Sequence, residues 1–193
     1  ADLSPDHPAR QRLAYDELLA NQLALSLIRA KMRKLGGRVT NGAGDLRQKL
    51  AANLPFAMTG AQQRALADIY DDMASEGRML RLLQGDVGSG KTVVALMAML
   101  NAVECGRQAA IMAPTEILAR QHFETIGPLL EQIGIKCAIL TGRDKGKARK
   151  ATLEGFANGD VQIAVGTHAL FQDDVVFSDL AFAVVDEQHR FGV

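Results

Sequence analysis

The stretch LRLLQGDVGSGKT, residues 80–92, decides the fold that we expect of this chain. Residues 80–83 form a short apolar run that predicts a β-strand, and an apolar stretch of helical length begins at Thr92. Between them lies the pattern GxxxxGK[ST], which begins at Gly85. Between a strand and a helix, such glycines let the backbone wrap around an anion, so that successive N–H groups face it. The stretch therefore predicts a phosphate-binding loop in an α/β domain.

The rest of the C-terminal part alternates in the same way between strand and helix patterns. Apolar runs of strand length recur, and the stretches between them are long enough for crossover helices. The predicted strands after the loop are residues 109–113, 136–140, 161–165 and 182–185, and the predicted helices are 92–104, 115–133 and 144–158. This alternation predicts a mostly parallel sheet covered by helices on both faces.

The N-terminal part has a helical pattern without strands. Ser4-Pro5 is typical of a helix start, leucines then recur at helical spacing, and Gly36-Gly37 should end this long helix. A short helix is predicted over residues 45–52. We therefore divide the chain into a helical extension, residues 1–53, and an α/β lobe, residues 54–193.

Composition excludes several classes of protein. The chain is 48% hydrophobic, which is typical of a folded domain, and its net charge is zero, so any nucleic-acid contact must come from local features. Cys105 and Cys137 lack metal-ligand spacing, and we interpret both as buried small apolar residues. No apolar run is long enough to cross a bilayer and no secretory signal is recognisable, so we expect a cytoplasmic protein without a membrane partner.

A second chemical element follows the last predicted strand. Asp186 and Glu187 stand at its carboxyl end, where open α/β sheets bind their ligands. An acidic pair of this kind can also cap a helix, but together with the phosphate loop it predicts a Mg²⁺-ATP site. Lys91 should contact the β and γ phosphates, Thr92 and Asp186 should hold Mg²⁺, and Glu187 should polarise the attacking water. The loop residues expected to bind ATP are Gly85, Gly88, Ser89, Gly90, Lys91 and Thr92.

The octapeptide DEQHRFGV, residues 186–193, resembles motif II of superfamily 2 helicases, and further motifs narrow the resemblance to the bacterial branched-DNA helicases. These motifs are LPF at 54–56, TGAQ at 59–62, QGDVGSGKT at 84–92, APTEILA at 113–119 and GTHALFQ at 166–172. The resemblance covers nearly the whole chain. It implies a three-layer RecA-like P-loop NTPase lobe whose parent protein remodels replication forks and Holliday junctions in DNA repair and recombination.

The resemblance also implies roles for residues outside the phosphate loop. Gln62 would contact the adenine, and His189 would link the γ-phosphate state to DNA. The residues that would contact DNA are Pro114, Thr115, Thr141, Gly142, Thr167 and His168.

Each of these positions has a simpler interpretation. Pro114-Thr115 is also a helix start, Thr141-Gly142 a turn and Gln62 a solvated residue, while His168 is as compatible with a core position as with DNA. His7 and His122 are predicted to be surface residues, and the basic run at residues 145–150 a solvated helix face.

The expected partners are branched or double-stranded DNA and two parts that the sequence lacks, a second RecA-like lobe and a wedge domain. In such motors the second lobe supplies an arginine that accelerates hydrolysis by about 10³- to 10⁵-fold in comparable NTPases. We therefore expect this chain by itself to bind ATP weakly and to hydrolyse it poorly. The alternatives are the motor lobe of a transcription-repair coupling translocase, a metabolic P-loop enzyme, and a non-catalytic module that uses the scaffold only to bind partners.

Overall fold

The computed structural model describes residues 7–33 and 36–187. Helices and parallel strands alternate along most of this length. The elements in chain order are α1 (Pro8–Arg33), α2 (Asp45–Asn53), α3 (Gly60–Met73), α4 (Lys91–Glu104), β1 (Gln108–Met112), α5 (Glu116–Gln132), β2 (Cys137–Leu140), α6 (Gly146–Ala157), β3 (Ile163–Gly166), a 3₁₀ turn (His168–Phe171) and β4 (Leu180–Val185).

The four strands form one parallel sheet in the order β2-β3-β1-β4. In the centre of the sheet, Ala110 of β1 pairs with Ala164 of β3 on one side and with Ala183 of β4 on the other. Parallel neighbours need crossover connections, and α5 and α6 supply them here. The predicted α/β fold with a mostly parallel sheet is confirmed.

Two apolar layers cover the sheet, one on each face. Ala109 and Ile111 of β1 point into the larger core, which α2, α3, α4 and α5 enclose. Ala110 points into a smaller core on the opposite face, where Phe156 of α6 packs against Phe177 with ring centroids 5.0 Å apart. Alternate residues of one strand thus serve both layers, as a three-layer lobe requires.

The predicted strand at residues 80–83 is the main error of the sequence analysis. These residues have no regular secondary structure, and Leu80 and Leu82 are 78% and 71% exposed. Apolar composition permits a strand, but a strand forms only when its backbone pairs with a neighbour, and this segment does not join the sheet. Arg81 instead donates a hydrogen bond to Asp72 of α3 at 2.7 Å, which holds the segment beside that helix.

The two N-terminal helices differ in how much of their apolar surface is buried. On α1 the described leucines are exposed, and the predicted start at Ser4-Pro5 lies outside the described residues. On α2, Leu50 is fully buried in the larger core, and Arg47 forms an ion pair with Glu104 of α4. The boundary at residue 54 stays a prediction.

The cysteines and the segment after β3 differ from the predictions. The two cysteines are half-buried rather than fully buried, and neither forms a disulfide. The 3₁₀ turn after β3 was not predicted. No helix within residues 7–33 and 36–187 has the length and apolarity needed to cross a membrane.

Candidate functional site

The loop before α4 has the open, glycine-dependent shape expected of a phosphate-binding loop. Gly88 and Gly90 have φ values of +81° and +79°, which residues with a side chain rarely adopt. A side chain on Gly85 would place its Cβ 2.7 Å from Ser89 Oγ, so the Ser89 hydroxyl would have to move. Helix α4 begins at Lys91 without a side-chain cap, so no side chain occupies the N–H groups at this helix start, where an anion would bind.

Lys91 lies against the loop that precedes it. Its Nζ donates hydrogen bonds to the carbonyl oxygens of Gly85 and Asp86, at 2.6 and 2.8 Å. The ammonium group is therefore held inside the curve of the loop, next to the path that phosphate oxygens would follow. Thr92, one residue later, is half-buried at the same helix end.

Gln62 contacts the loop directly, although its side chain remains partly exposed. Its side chain completes the capping box of α3, because Gln62 Oε1 accepts a hydrogen bond from the Thr59 N–H at 2.8 Å. Its Nε2 donates to the Ser89 carbonyl oxygen at 2.8 Å. A side chain on Gly90 would collide with the same amide. Gln62 thus joins the start of α3 to the phosphate loop.

The acidic pair lies at the carboxyl end of β4, as predicted. The N–H of Asp186 donates to the carbonyl oxygen of Met112 at 2.8 Å, which extends the pairing of β4 with β1 by one residue. Glu187 has φ +51°, so the backbone turns sharply where the strand ends. Asp186 Oδ2 lies 2.7 Å from Nε2 of His122. The carboxylate is therefore oriented by a side chain of α5.

The prediction that His122 is a surface residue was wrong. Its side chain is 13% exposed and lies on the inward face of α5, between the buried residues Ala119 and Ile126. Residues three and four apart share a helix face, so the spacing from Ala119 and Ile126 indicates an inward position for His122. It could not have revealed Asp186 as the partner, because 64 residues separate the two in sequence.

The donor set fits Mg²⁺ bound together with a nucleotide. The hydroxyl of Thr92 and the carboxylate of Asp186 are hard oxygen donors, which Mg²⁺ prefers. Within the described part of the chain, no cluster of three or more His, Cys, Asp or Glu side chains could hold a metal. Mg²⁺ in phosphate sites commonly uses one or two protein oxygens and takes the others from phosphates and water.

The residues predicted to contact DNA fall into two groups. Pro114 and Thr115 lie at the start of α5, where the exposed Thr115 accepts a hydrogen bond from the Leu118 N–H at 3.3 Å. Gly142 and His168 are also exposed, so the alternative of a core position for His168 is wrong.

Thr141 and Thr167 are buried, and both hydroxyl groups have partners within the chain. Thr141 bonds Asp144 through both its N–H and its hydroxyl, and the Thr167 hydroxyl caps the 3₁₀ turn. They order the two loops that present Gly142 and His168. His189 lies outside the described residues.

An ion pair that the sequence analysis missed connects two of these loops. Glu116, in the first turn of α5, pairs with Arg120 at 2.8 Å and with Arg143 at 3.2 Å. Arg143 directly follows Gly142, so an ion pair at the surface links the start of α5 to the loop after β2. The basic residues of α6 behave as predicted in part: Lys145, Lys147 and Lys150 are exposed, whereas Arg149 pairs with Asp174.

The structure combines a glycine-rich loop, which ends in Lys-Thr at the start of a helix, with a parallel sheet whose last strand leads into two acidic residues. This combination is typical of P-loop NTPase lobes of the RecA-like type. The DEAD/DEAH box helicase family matches residues 59–193, and the chain belongs to this family.

Individual relatives show which members of this family the chain resembles. The chain is 50% identical over 187 residues to the ATP-dependent DNA helicase RecG of Haemophilus influenzae, covering 97% of this chain and 27% of the relative. It is 46% identical over 185 residues to RecG of Thermotoga maritima, covering 96% of this chain and 24% of that protein. The chain thus spans about a quarter of the length of these curated relatives. The names of these relatives give no support to the alternative that the chain is the motor lobe of a transcription-repair coupling translocase.

Solved structures agree with these relatives. RecG bound to a three-way DNA junction has a TM-score of 0.85 and 46% identity, covering 95% of this chain and 25% of that one. A hypothetical ATP-dependent RNA helicase from Sulfolobus tokodaii has a TM-score of 0.53 and 16% identity, covering 74% of this chain and 50% of that one. The second similarity supports the fold alone.

Proposed function

We propose that this chain is the ATP-binding lobe of an ATP-dependent DNA helicase or translocase that remodels branched DNA, such as replication forks and Holliday junctions, in DNA repair and recombination. The observation that carries the proposal is the similarity, at 46% identity and a TM-score of 0.85, to RecG bound to a three-way DNA junction. Such a protein would act in the cytoplasm, where bacterial DNA is replicated.

In this proposal the loop from Gly85 to Thr92 binds the phosphates of ATP, with Lys91 turning from its two carbonyl partners to the β and γ oxygens. Gln62 would support the loop from the side and contact the adenine. Thr92 and Asp186 would hold Mg²⁺, which when bound neutralises charge that develops on the transferred phosphoryl group. Glu187 would orient the attacking water, and His189 would connect this site to DNA.

DNA would lie along the edge formed by the start of α5 and the loops after β2 and β3. The first turn of α5 presents backbone N–H groups, which bind phosphates without reading sequence. Thr115, Gly142 and His168 are exposed along this edge. Pro114 would set the entry to the helix, whereas Thr141 and Thr167 would act only through the loops that they order.

The partners of the lobe would be double-stranded or branched DNA, a second RecA-like lobe that completes the ATP site, and a wedge domain that engages branch points. The chain spans 27% of the length of its Haemophilus influenzae relative, which leaves ample length there for such parts. By itself the 193-residue chain should therefore bind Mg²⁺-ATP weakly and turn it over slowly.

The first experiment is calorimetric titration of the chain with Mg²⁺-ATP, in parallel with Lys91→Ala. Loss of the ammonium group should weaken binding at least about tenfold, since a charge-assisted contact contributes about 1.5–3 kcal/mol. Lys147→Ala removes an exposed lysine of α6 and should leave the affinity unchanged. Equal affinities for Lys91→Ala and the unsubstituted chain would contradict the assignment of the phosphate site.

The second experiment concerns DNA and uses the full-length native protein. Its ATP turnover should rise when branched DNA is added, and a radiolabelled fork should be unwound only with ATP. Turnover that does not respond to DNA would favour a self-contained metabolic P-loop enzyme instead. Nucleotide binding without any turnover, with DNA present, would favour the non-catalytic module.

A further inference from the structure

We propose that His122 is a positioning residue of the ATP site: its imidazole fixes the Asp186 carboxylate, and so connects the Mg²⁺-binding position to helix α5. This inference rests on the proposed function, which assigns Asp186 to the Mg²⁺ of bound ATP. The observation that carries it is the 2.7 Å contact between His122 Nε2 and Asp186 Oδ2.

The contact orients a group that would otherwise rotate. An ionised carboxylate can only accept hydrogen bonds, so in this contact the imidazole would donate a hydrogen bond from Nε2 to Oδ2. The backbone of Asp186 is already held by Met112, and the bond from His122 therefore fixes the remaining side-chain torsions. Oδ2 therefore already has a partner within the protein. Hydrogen bonds of this kind to metal ligands tune metal affinity in many proteins.

An apolar side chain at the position of His122 would be sufficient to pack this face of α5. Its neighbours on the same face of α5, Ala119 and Ile126, are almost completely buried and belong to the larger core. A leucine would fit the helical pattern here, yet the chain places an imidazole with one ring nitrogen on the carboxylate. Packing alone therefore does not explain the choice of histidine. A positioning role and a packing role predict different experimental results.

Helix α5 also connects this contact to the edge proposed to bind DNA. His122 lies about two helical turns after the N-cap residue Thr115. Between them, Glu116 is joined to Arg143 of the neighbouring loop. A helix moves as a rigid unit over such a short distance, so a shift at its first turn carries the imidazole with it. The edge proposed to bind DNA and the contact with Asp186 are thus parts of the same helix.

The test uses the full-length native protein and measures its dependence on the divalent ion. In His122→Leu, the Mg²⁺ concentration that gives half-maximal ATP turnover should rise about 10- to 100-fold, as is usual when a partner of a metal ligand is removed. Binding of Mn²⁺ to the complex with ADP, followed by electron paramagnetic resonance, should weaken by a similar factor. Affinity for ADP without a divalent ion should stay the same.

Two further variants separate positioning from packing. His122→Gln places an amide Nε2 donor at a similar reach and should restore most of the affinity for Mn²⁺. Glu124→Leu adds a leucine to an exposed position of the same helix and should behave like the unsubstituted protein. An unchanged Mg²⁺ and Mn²⁺ dependence in folded His122→Leu would overturn the inference, whatever the change in thermal stability.

If His122→Leu does not fold, His122→Asn replaces it, because its shorter amide does not reach Oδ2. Equal Mn²⁺ affinities for the Asn and Gln variants would then overturn the inference. Failure of the proposed function is a separate result: turnover of the unsubstituted protein would not respond to branched DNA. The Mn²⁺ comparison needs neither DNA nor turnover, so it still decides the role of His122.

Discussion

Replacing Glu104 with Gln should destabilise the protein by separating α2 from α4. The Glu104 side chain is 4% exposed and accepts hydrogen bonds from the Gly44 N–H at 2.8 Å, the Arg47 N–H at 3.0 Å and Arg47 Nε at 3.0 Å. A glutamine has one acceptor oxygen in place of two. At least one of these donors would then face an amide NH₂ group, and Arg47, 17% exposed, would lose its counter-charge.

The size of the effect follows from these contacts. A hydrogen bond to a charged group contributes about 1.5–3 kcal/mol, and leaving a buried donor unpaired costs about 1–3 kcal/mol more. We therefore expect a loss of about 3 kcal/mol in the free energy of unfolding. For a domain of this size that corresponds to a fall in Tm of about 6–12 °C.

The effect should also depend on pH. Burial by itself raises the pKa of Glu104, but the hydrogen bonds from the backbone and side chain of Arg47 and from the Gly44 N–H outweigh it, so the pKa lies below its ordinary value of 4.5. A lowered pKa means that the folded state favours the carboxylate. This stabilisation is complete above the ordinary pKa and is lost as the pH falls through the lowered one.

Thermal unfolding followed by circular dichroism measures both effects. The Tm difference between the unsubstituted chain and Glu104→Gln should be largest near neutral pH and should shrink as the pH falls below 4.5. Glu154→Gln, in an exposed pair with Lys150 at 3.8 Å, is the matched control and should change stability by less than about 1 kcal/mol. A Tm for Glu104→Gln equal to that of the control would refute the reasoning.

Two further predictions concern local structure. Thr59→Ala removes the hydroxyl that accepts from the Gln62 N–H and should cost about 1 kcal/mol, or about 2–4 °C in Tm, whereas an unchanged Tm would mean that the cap contributes nothing. Burial raises the pKa of the Cys137 thiol to about 12, so Cys137 should resist alkylation at pH 8 in the folded chain and react in urea, as mass spectrometry of the labelled peptide can show. Equal labelling in both conditions would contradict the partial burial of Cys137.

Much of the site was accessible from sequence because its signals are local. The phosphate loop needs glycines at particular backbone torsions, and the structure gives positive φ values to Gly88 and Gly90. Thr115 likewise stands one residue before α5, as a helix N-cap should. Asp186 could be assigned to the sheet edge because an apolar strand precedes it. In each case the neighbouring residues contain the physical cause.

The errors concern contacts between distant segments. Residues 80–83 have the composition of a strand, but pairing depends on a partner elsewhere in the chain. Thr141 and Thr167 were predicted to contact DNA, and the sequence did not reveal that Asp144 and the 3₁₀ turn engage their hydroxyl groups. The hydrogen-bond partner of a polar side chain depends on the residues that pack around it, and no short motif contains that information.

The sequence by itself determined that this chain is an α/β lobe with a phosphate loop and an acidic strand end, because hydrophobic period, glycine placement and capping are properties of adjacent residues. Only the tertiary structure decided that α2 belongs to the larger core through Leu50, that Gln62 supports the loop, and that His122 orients Asp186. These contacts join residues far apart in sequence, and the packing of whole helices on the sheet brings them together.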